Sequence, residues 1–197
     1  DTIVFCTGVF NLYHHHSAET ELSKFTGNNS PDWAWELGTK GKDTLATMVR
    51  FCRQHEIEIF WTMRMNDSHD SYTPTLLSQW KKDHPELLMG RPGENFPFGG
   101  NRWSLLNYEL VDVRNKALAI IQDVANRYDV DGIELDFYRH PVVFKPQMHG
   151  KPVTDRQRAI LTSFMRKVHG ISDQVAAKRG RPLLIMIRVP DSVGFCR

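Results

Sequence analysis

Residues 130–141 read V-D-G-I-E-L-D-F-Y-R-H-P, a short apolar run that carries two carboxylates and passes at once into Tyr138, Arg139 and His140. Alternation with period two places Glu134, Asp136 and Tyr138 on one face of a strand and Ile133, Leu135 and Phe137 on the other. One face of a strand in a protein of this size is usually buried, and two acids on such a face are costly unless paired or ligated. Two readings are open. The acids could belong to an ion-paired network that holds a turn together. They could instead form a carboxylate site at the C-terminal end of a barrel or sheet strand, acting as base, nucleophile or electrostatic stabiliser.

In a parallel sheet the C-terminal strand ends share one edge, and such folds bind ligands there. The polar residues just past each apolar run can therefore be collected. The first run is followed by Gly8 and Asn11, and the second by Arg64, Asn66, Asp67 and His69 in M-R-M-N-D-S-H-D. A short third run ends at Asn107, the fourth delivers Glu134, Asp136, Arg139 and His140, and the fifth delivers Arg188 and Asp191. Asp136, Glu134 and Asp67 are the candidate catalytic acids. Arg64, Asn66, His69, Asn107, Tyr138, Arg139, His140, Arg188 and Asp191 are the candidate substrate-binding groups, and Asp191 also stands as a further possible acid/base partner.

Arg64, Arg139 and Arg188 would bring several positive charges beside the acids. They would lower the acids' pKa values and could grip an anionic substrate group with two parallel hydrogen bonds; the plainer alternative is that they only neutralise Glu134 and Asp136. A metal site is a rival use of the same neighbourhood, with His14 and His16 joined by Asp67, His69 or His140. No H-E-x-x-H spacing exists and arginines would crowd a cation, so no metal is expected. Neither G-x-G-x-x-G nor G-x-x-x-x-G-K occurs, which sets nucleotide-phosphate cradles aside, and no cofactor is expected. Trp33, Trp35 and Trp103 fall in loop regions where a ring could stack on a sugar or simply close over the core, whereas Trp61 lies in a strand run and belongs to the core.

The elements that must position these groups follow from periodicity. Apolar runs predict strands near 3–8, 57–64, 104–107, 132–137 and 183–189. Leu45, Met48, Val49 and Cys52 make a helical stripe after Asp43, and Thr73-Pro74 opens a short helix through Trp80. Leu110, Val113, Ala117, Ile120, Ile121, Val124 and Tyr128 mark the strongest helix, and a Thr154-x-x-Gln157 capping box starts another that Gly180-Arg181-Pro182 stops. Polar stretches with weak periodicity cover the thirty-odd residues after Val9 and the segment 83–102. Near-continuous apolar strands alternating with helices mean a parallel sheet covered on both faces.

Bulk properties narrow the class. The 197 residues suffice for a sizeable core and are read as one domain, 1–197. A net charge of +2 without a Lys/Arg block implies no nucleic-acid partner, and no apolar run approaches the ~20 residues needed to span a bilayer. Cys6, Cys52 and Cys196 lack zinc-like spacing and are odd in number, which leaves at most one disulfide. Asp1 is not an initiator Met; a removed signal peptide and a trimmed chain would look alike, and a secreted or periplasmic location is expected over a cytoplasmic one.

Residues 107–141 resemble the central segment of the glycoside-hydrolase-like (β/α)8 barrels related to glycoside hydrolase family ten-like domains. The resemblance is carried by Asn107 at a strand end, the Val113-Arg114 pair, the Y-D-V-D-G-I turn and the L-D-x-x-R-x-P strand end, with His55, Ile57 and Trp61 matching further upstream. It implies an α/β fold of the (β/α)8 TIM-barrel type, hydrolysis of O-glycosidic bonds in a poly- or oligosaccharide, Asp136 as the catalytic-face acid and Arg139 close to it. Five strands in 197 residues fall short of eight, so an incomplete barrel is expected, with a second catalytic carboxylate beyond Arg197 in that case. Two functions are weighed: a glycoside hydrolase, whose pocket of arginines would favour an anionic sugar, and a non-catalytic carbohydrate-binding or structural barrel whose carboxylates are saturated by arginine.

Overall fold

The computed structural model describes residues 1–23, 36–38 and 40–191. Along the chain lie β1 (Thr2–Cys6), β2 (Gly8–Val9), β3 (Leu12–Tyr13), β4 (Glu21–Leu22), α1 (Thr44–Gln54), β5 (Glu58–Arg64), α2 (Gln79–Asp83), α3 (Val111–Arg127), β6 (Gly132–Asp136), α4 (Asp155–Arg179) and β7 (Leu184–Arg188). The main sheet has the order β1-β5-β6-β7, and every pair in it is parallel. Strictly sequential, parallel strands with intervening helices make this an α/β architecture of the incomplete (β/α)8 barrel type. An open sheet of mixed order does not fit.

The local signals explain the helices. Asp43 accepts from the Ala46 backbone N–H at 2.9 Å and caps α1. Thr154 and Gln157 cap α4 reciprocally, and Gly180 ends it at φ 72°, a left-handed conformation that suits glycine. The apolar stripes of α1, α3 and α4 join Ile59, Trp61, Met63, Ile133 and Leu135 in one core. By alternation, Thr62, Arg64, Glu134, Asp136 and Arg188 project from the opposite face of the sheet. Helices therefore cover one face, and the second face carries these polar groups toward the C-terminal strand ends, with Val4, Phe60 and Leu184 nearer the other end.

Several expectations are corrected. Residues 104–107 make no strand of the parallel sheet: Leu106 forms a single antiparallel bridge with Leu88, and β5 pairs directly with β6. The segment is held by the loop before it, through Met89 N to Leu105 O at 2.7 Å and Asn107 N to Leu87 O at 3.0 Å. The helix expected from Thr73 is a 3-10 turn, Pro74–Leu76, followed by α2, which Ser78 caps. The stretch after Val9 holds β3 and β4, which join β2 in a second sheet, β2-β3-β4. Cys6 and Cys52 are free thiols, and Cys196 lies outside the described residues.

Candidate active site at the strand ends

The register decides which side chains meet. Arg64, Asp136 and Arg188 form one row across β5, β6 and β7, and Thr62 and Glu134 form the row two residues below. Arg188 reaches down to Glu134, with Nη2 2.9 Å from Oε1 and Nε 3.2 Å from Oε2, and Thr62 donates to Oε1 at 2.6 Å. Glu134 is buried, so this bidentate clamp plus the hydroxyl offsets its desolvation.

Asp136 is held differently. Its Oδ1 accepts the backbone N–H groups of Tyr138 (2.9 Å) and Arg139 (3.0 Å), an Asx-type turn that fixes the rotamer. Oδ2 has only a 3.9 Å ion contact with Nη1 of Arg188. The sequence thus closes its own turn around Asp136, which is buried, and leaves Oδ2 without a hydrogen-bond donor among the described residues.

Asp67 anchors the second loop. Its Oδ1 accepts the His69 backbone N–H at 2.9 Å and the His69 ring Nδ1–H at 2.7 Å, while Arg64 Nη1 donates to Oδ2 at 3.1 Å. Burial pushes the Asp67 carboxyl up, but the His69 hydrogen bonds and the Arg64 charge outweigh it and leave the group below its ordinary range. Arg139 Nη2 donates to His69 Nε2 at 3.0 Å, tying the loop after β6 to the loop after β5. His140 Nε2 lies 3.2 Å from Ser68 Oγ, and burial lowers its pKa to about 4 despite the nearby Asp67. One acceptor atom from each of Asp67, His69 and His140 lies within 4.8 Å of the others. A cavity of about 230 Å³ lined by Ser68, His69, Tyr72, Arg102 and His140 adjoins the group.

The remaining candidates separate into two kinds. Asn66 is buried and spends its amide on the backbone, donating to Leu106 O and Val142 O at 3.0 Å each and accepting from Leu106 N at 2.9 Å. It clamps two loops and offers nothing to a ligand. Asn107 does similar work by accepting Glu109 N and Lys145 N. Tyr138 is exposed beside Asp136, and Asp191 is exposed three residues past β7 without an ion pair to any of these groups. Trp61 and Trp103 are buried in the core, while Trp33 and Trp35 lie outside the described residues.

Sequence reasoning missed Thr62, Ser68, Tyr72 and Arg102. It also missed the floor of the Asp67 loop: Lys81 is buried, and its Nζ donates to Asp70 Oδ2 (2.6 Å), Ser104 O (2.9 Å) and Asp67 O (3.3 Å). Thr62 lies two residues before Arg64, so its face was legible; its partner on β6 was not. His14 and His16 join no metal-ligand group among the described residues.

Comparison with known proteins sets this geometry in a family. No curated protein matches the chain. Among solved structures it is similar to alpha-L-fucosidase isoenzyme 2 from Paenibacillus thiaminolyticus, at 14% identity and a TM-score of 0.52, over 94% of this chain and 27% of that one. It is also similar to the galactosidase domain of an alpha-galactosidase-sucrose kinase, at 14% identity and a TM-score of 0.50, over 95% of this chain and 22% of that one. The chain thus spans about a quarter of those structures' length, and the likeness is one of fold. The profile of the family described as Glycosyl hydrolase-like 10 matches residues 20–158, well over half of the 197 residues, and the chain belongs to that family.

Proposed function

We propose that the chain carries part of the active site of a glycoside hydrolase acting on O-glycosidic bonds of an oligo- or polysaccharide, with Asp136 as nucleophile or charge-stabilising carboxylate. The observation that supports this most is the contrast between the acids. Glu134 and Asp67 are each consumed by a guanidinium, whereas Asp136 is positioned by two backbone amides and its Oδ2, at the C-terminal end of β6, has only a 3.9 Å contact with Arg188 among the described residues. A barrel hydrolase places its reacting carboxylate at such a strand end, and the reaction needs a second carboxyl across the scissile bond. Asp191, three residues past β7, forms no guanidinium pair among the described residues, so it takes the proton-donor position in this reading. Exposed Tyr138 offers a ring beside Asp136 for stacking on a sugar face.

Substrate charge is a finer matter. Arg64, Arg139 and Arg188 are balanced by Asp67, Glu134 and Asp136, three against three, and each guanidinium already has a partner. A preference for a uronic or sulfated sugar then depends on Arg102 in the neighbouring cavity. The alternative is a binding barrel without turnover, favoured by the clamped state of Glu134 and Asp67.

A hydrolysis screen of the full-length protein on matched neutral, uronic and sulfated oligosaccharides tests the choice. Turnover lost by at least ~10³-fold in Asp136→Asn, with unchanged near-UV circular dichroism, is the expected result. Sugar binding without any turnover in the wild type selects the binding barrel. Equal rates on neutral and anionic members, unaffected by Arg102→Ala, remove the charge preference.

A further inference from the structure

We infer that Asp67, His69 and His140 form a binding site for a divalent transition-metal ion of the zinc class, with its open coordination position facing the cavity of Ser68, Tyr72 and Arg102. Two imidazoles and one carboxylate are a donor set this class of ion takes, and three protein ligands leave a position for a substrate oxygen or water. Bonds of about 2.0–2.2 Å place tetrahedral ligand atoms roughly 3.4 Å apart. The three acceptor atoms here already lie within 4.8 Å of one another, so a rotamer adjustment of about an ångström closes the set.

The surroundings resemble a supporting shell. Arg64 orients Asp67 through Oδ2, Oδ1 already faces His69 through its backbone N–H and ring, and Ser68 Oγ lies against His140. The loop that carries Asp67 and His69 is fixed from below by Lys81, which binds Asp70 Oδ2 and the Asp67 carbonyl. In the structure a proton bridges His69 Nδ1 and Asp67 Oδ1, and Arg139 donates to His69 Nε2. An ion on Nδ1 shifts that proton to Nε2, which makes the ring an Nε2–H donor that Arg139 can no longer approach; an ion on Nε2 replaces Arg139 directly. Either way the guanidinium must leave, and Arg139 is exposed and able to do so. Arg102 and Arg139 also repel a cation, so the guanidinium and the metal compete for this corner.

That competition makes the site testable without reference to glycosidase activity. Zn²⁺ titrated into the full chain, followed by calorimetry and equilibrium dialysis, is expected to show one ion per chain. His69→Ala and His140→Ala should each weaken binding more than about tenfold. Arg139→Ala should tighten it several-fold, an outcome no adventitious surface histidine would produce. Because a histidine variant could disturb the loop, Co²⁺ added to the wild-type chain gives an independent reading, with visible d–d bands of nitrogen and oxygen ligation expected. Asp136→Asn should keep full metal binding, which separates this site from the hydrolytic reading. No stoichiometric binding, absence of the Co²⁺ bands, binding indifferent to both histidine variants, or weaker binding in Arg139→Ala would each overturn the inference.

Discussion

At the scale of single residues, partner choice is what distinguishes one acid from the next. Glu134, Asp136 and Asp67 share one rim, yet they meet a bidentate guanidinium, a pair of backbone amides, and a histidine with an arginine respectively. Removing one partner of a buried ion pair strands the other charge. Arg188→Ala is therefore expected to lower stability by ~1–2 kcal/mol, at the low end because the guanidinium side chain is 48% exposed. Adding Glu134→Gln should recover most of the loss in urea denaturation; no recovery would mean Arg188 stabilises by something other than this pair. His15 supplies a second residue-level test. It is 1% exposed, its Nδ1 meets Thr7 Oγ1 at 2.7 Å, and burial lowers its pKa from 6.5 to about 4. Asp43 and Asp123 pull it upward, while His14 and His16 add to the lowering. Between those two values the unfolded chain binds more protons than the folded one, so stability rises with pH there and is complete above about 6.5. The contribution is lost as pH falls toward 4, at up to ~1.4 kcal/mol per pH unit. Urea midpoints from pH 4 to 7.5 should flatten in His15→Gln, and an unchanged slope in that variant would refute the assignment.

At the scale of elements, the two ends of the sheet are built for different ends. Opposite the carboxylate rim, Asp131 accepts Ile59 N (2.9 Å), Arg53 Nη1 (2.9 Å) and Arg181 Nη1 (2.8 Å), so one side chain joins α1, β5, β6 and the loop before β7. This is the N-terminal edge, where barrels concentrate stability. Asp131→Ala is expected to cost ~2–4 kcal/mol in denaturant while leaving ligand affinity at the rim unchanged. A fall in both together would show that the two ends are coupled. Gly132 supports β6 by absence: a Cβ there would lie 2.1 Å from Phe60 Cε1 on the paired strand. Gly132→Ala should destabilise by ~1–3 kcal/mol, and Phe60→Leu in the same chain should relieve part of it. The elements that were readable beforehand are those with local causes, such as the Thr154–Gln157 capping box and the stripe of α3. Residues 104–107 misled because a short apolar run suits a strand or a buried loop equally; the nearby 87–89 segment supplied its hydrogen bonds instead.

Across the whole molecule, four parallel strands leave β1 and β7 as edges among the described residues. β7 exposes Leu184 (48%) and Ile187 (47%), with Val189 exposed just beyond it, whereas β6 beside it is buried throughout. An unpaired apolar edge is a template for association. The 197-residue chain is expected to self-associate with concentration in sedimentation velocity, and Ile187→Lys should reduce this by at least a few-fold. A monomer at all concentrations with the native side chain would show that the edge is protected. The sheet order also carries the site: it sets Arg64 and Arg188 on either side of Asp136 in one register row.

By itself the sequence determined the strands that form the sheet, the faces of its helices, and the side of β6 on which Glu134 and Asp136 lie. These follow from period, caps and turns, which act between residues close along the chain. It also held the family resemblance, concentrated in residues 107–141. Only the tertiary structure decided that Arg188 takes Glu134, that Arg64 turns to Asp67 within its own loop, that Asn66 is a clamp, and that His140 joins Asp67 and His69. Charges pair with whatever strand register and loop path bring within about 4 Å, at strengths set by burial. Neither quantity is written in the spacing of residues along one strand.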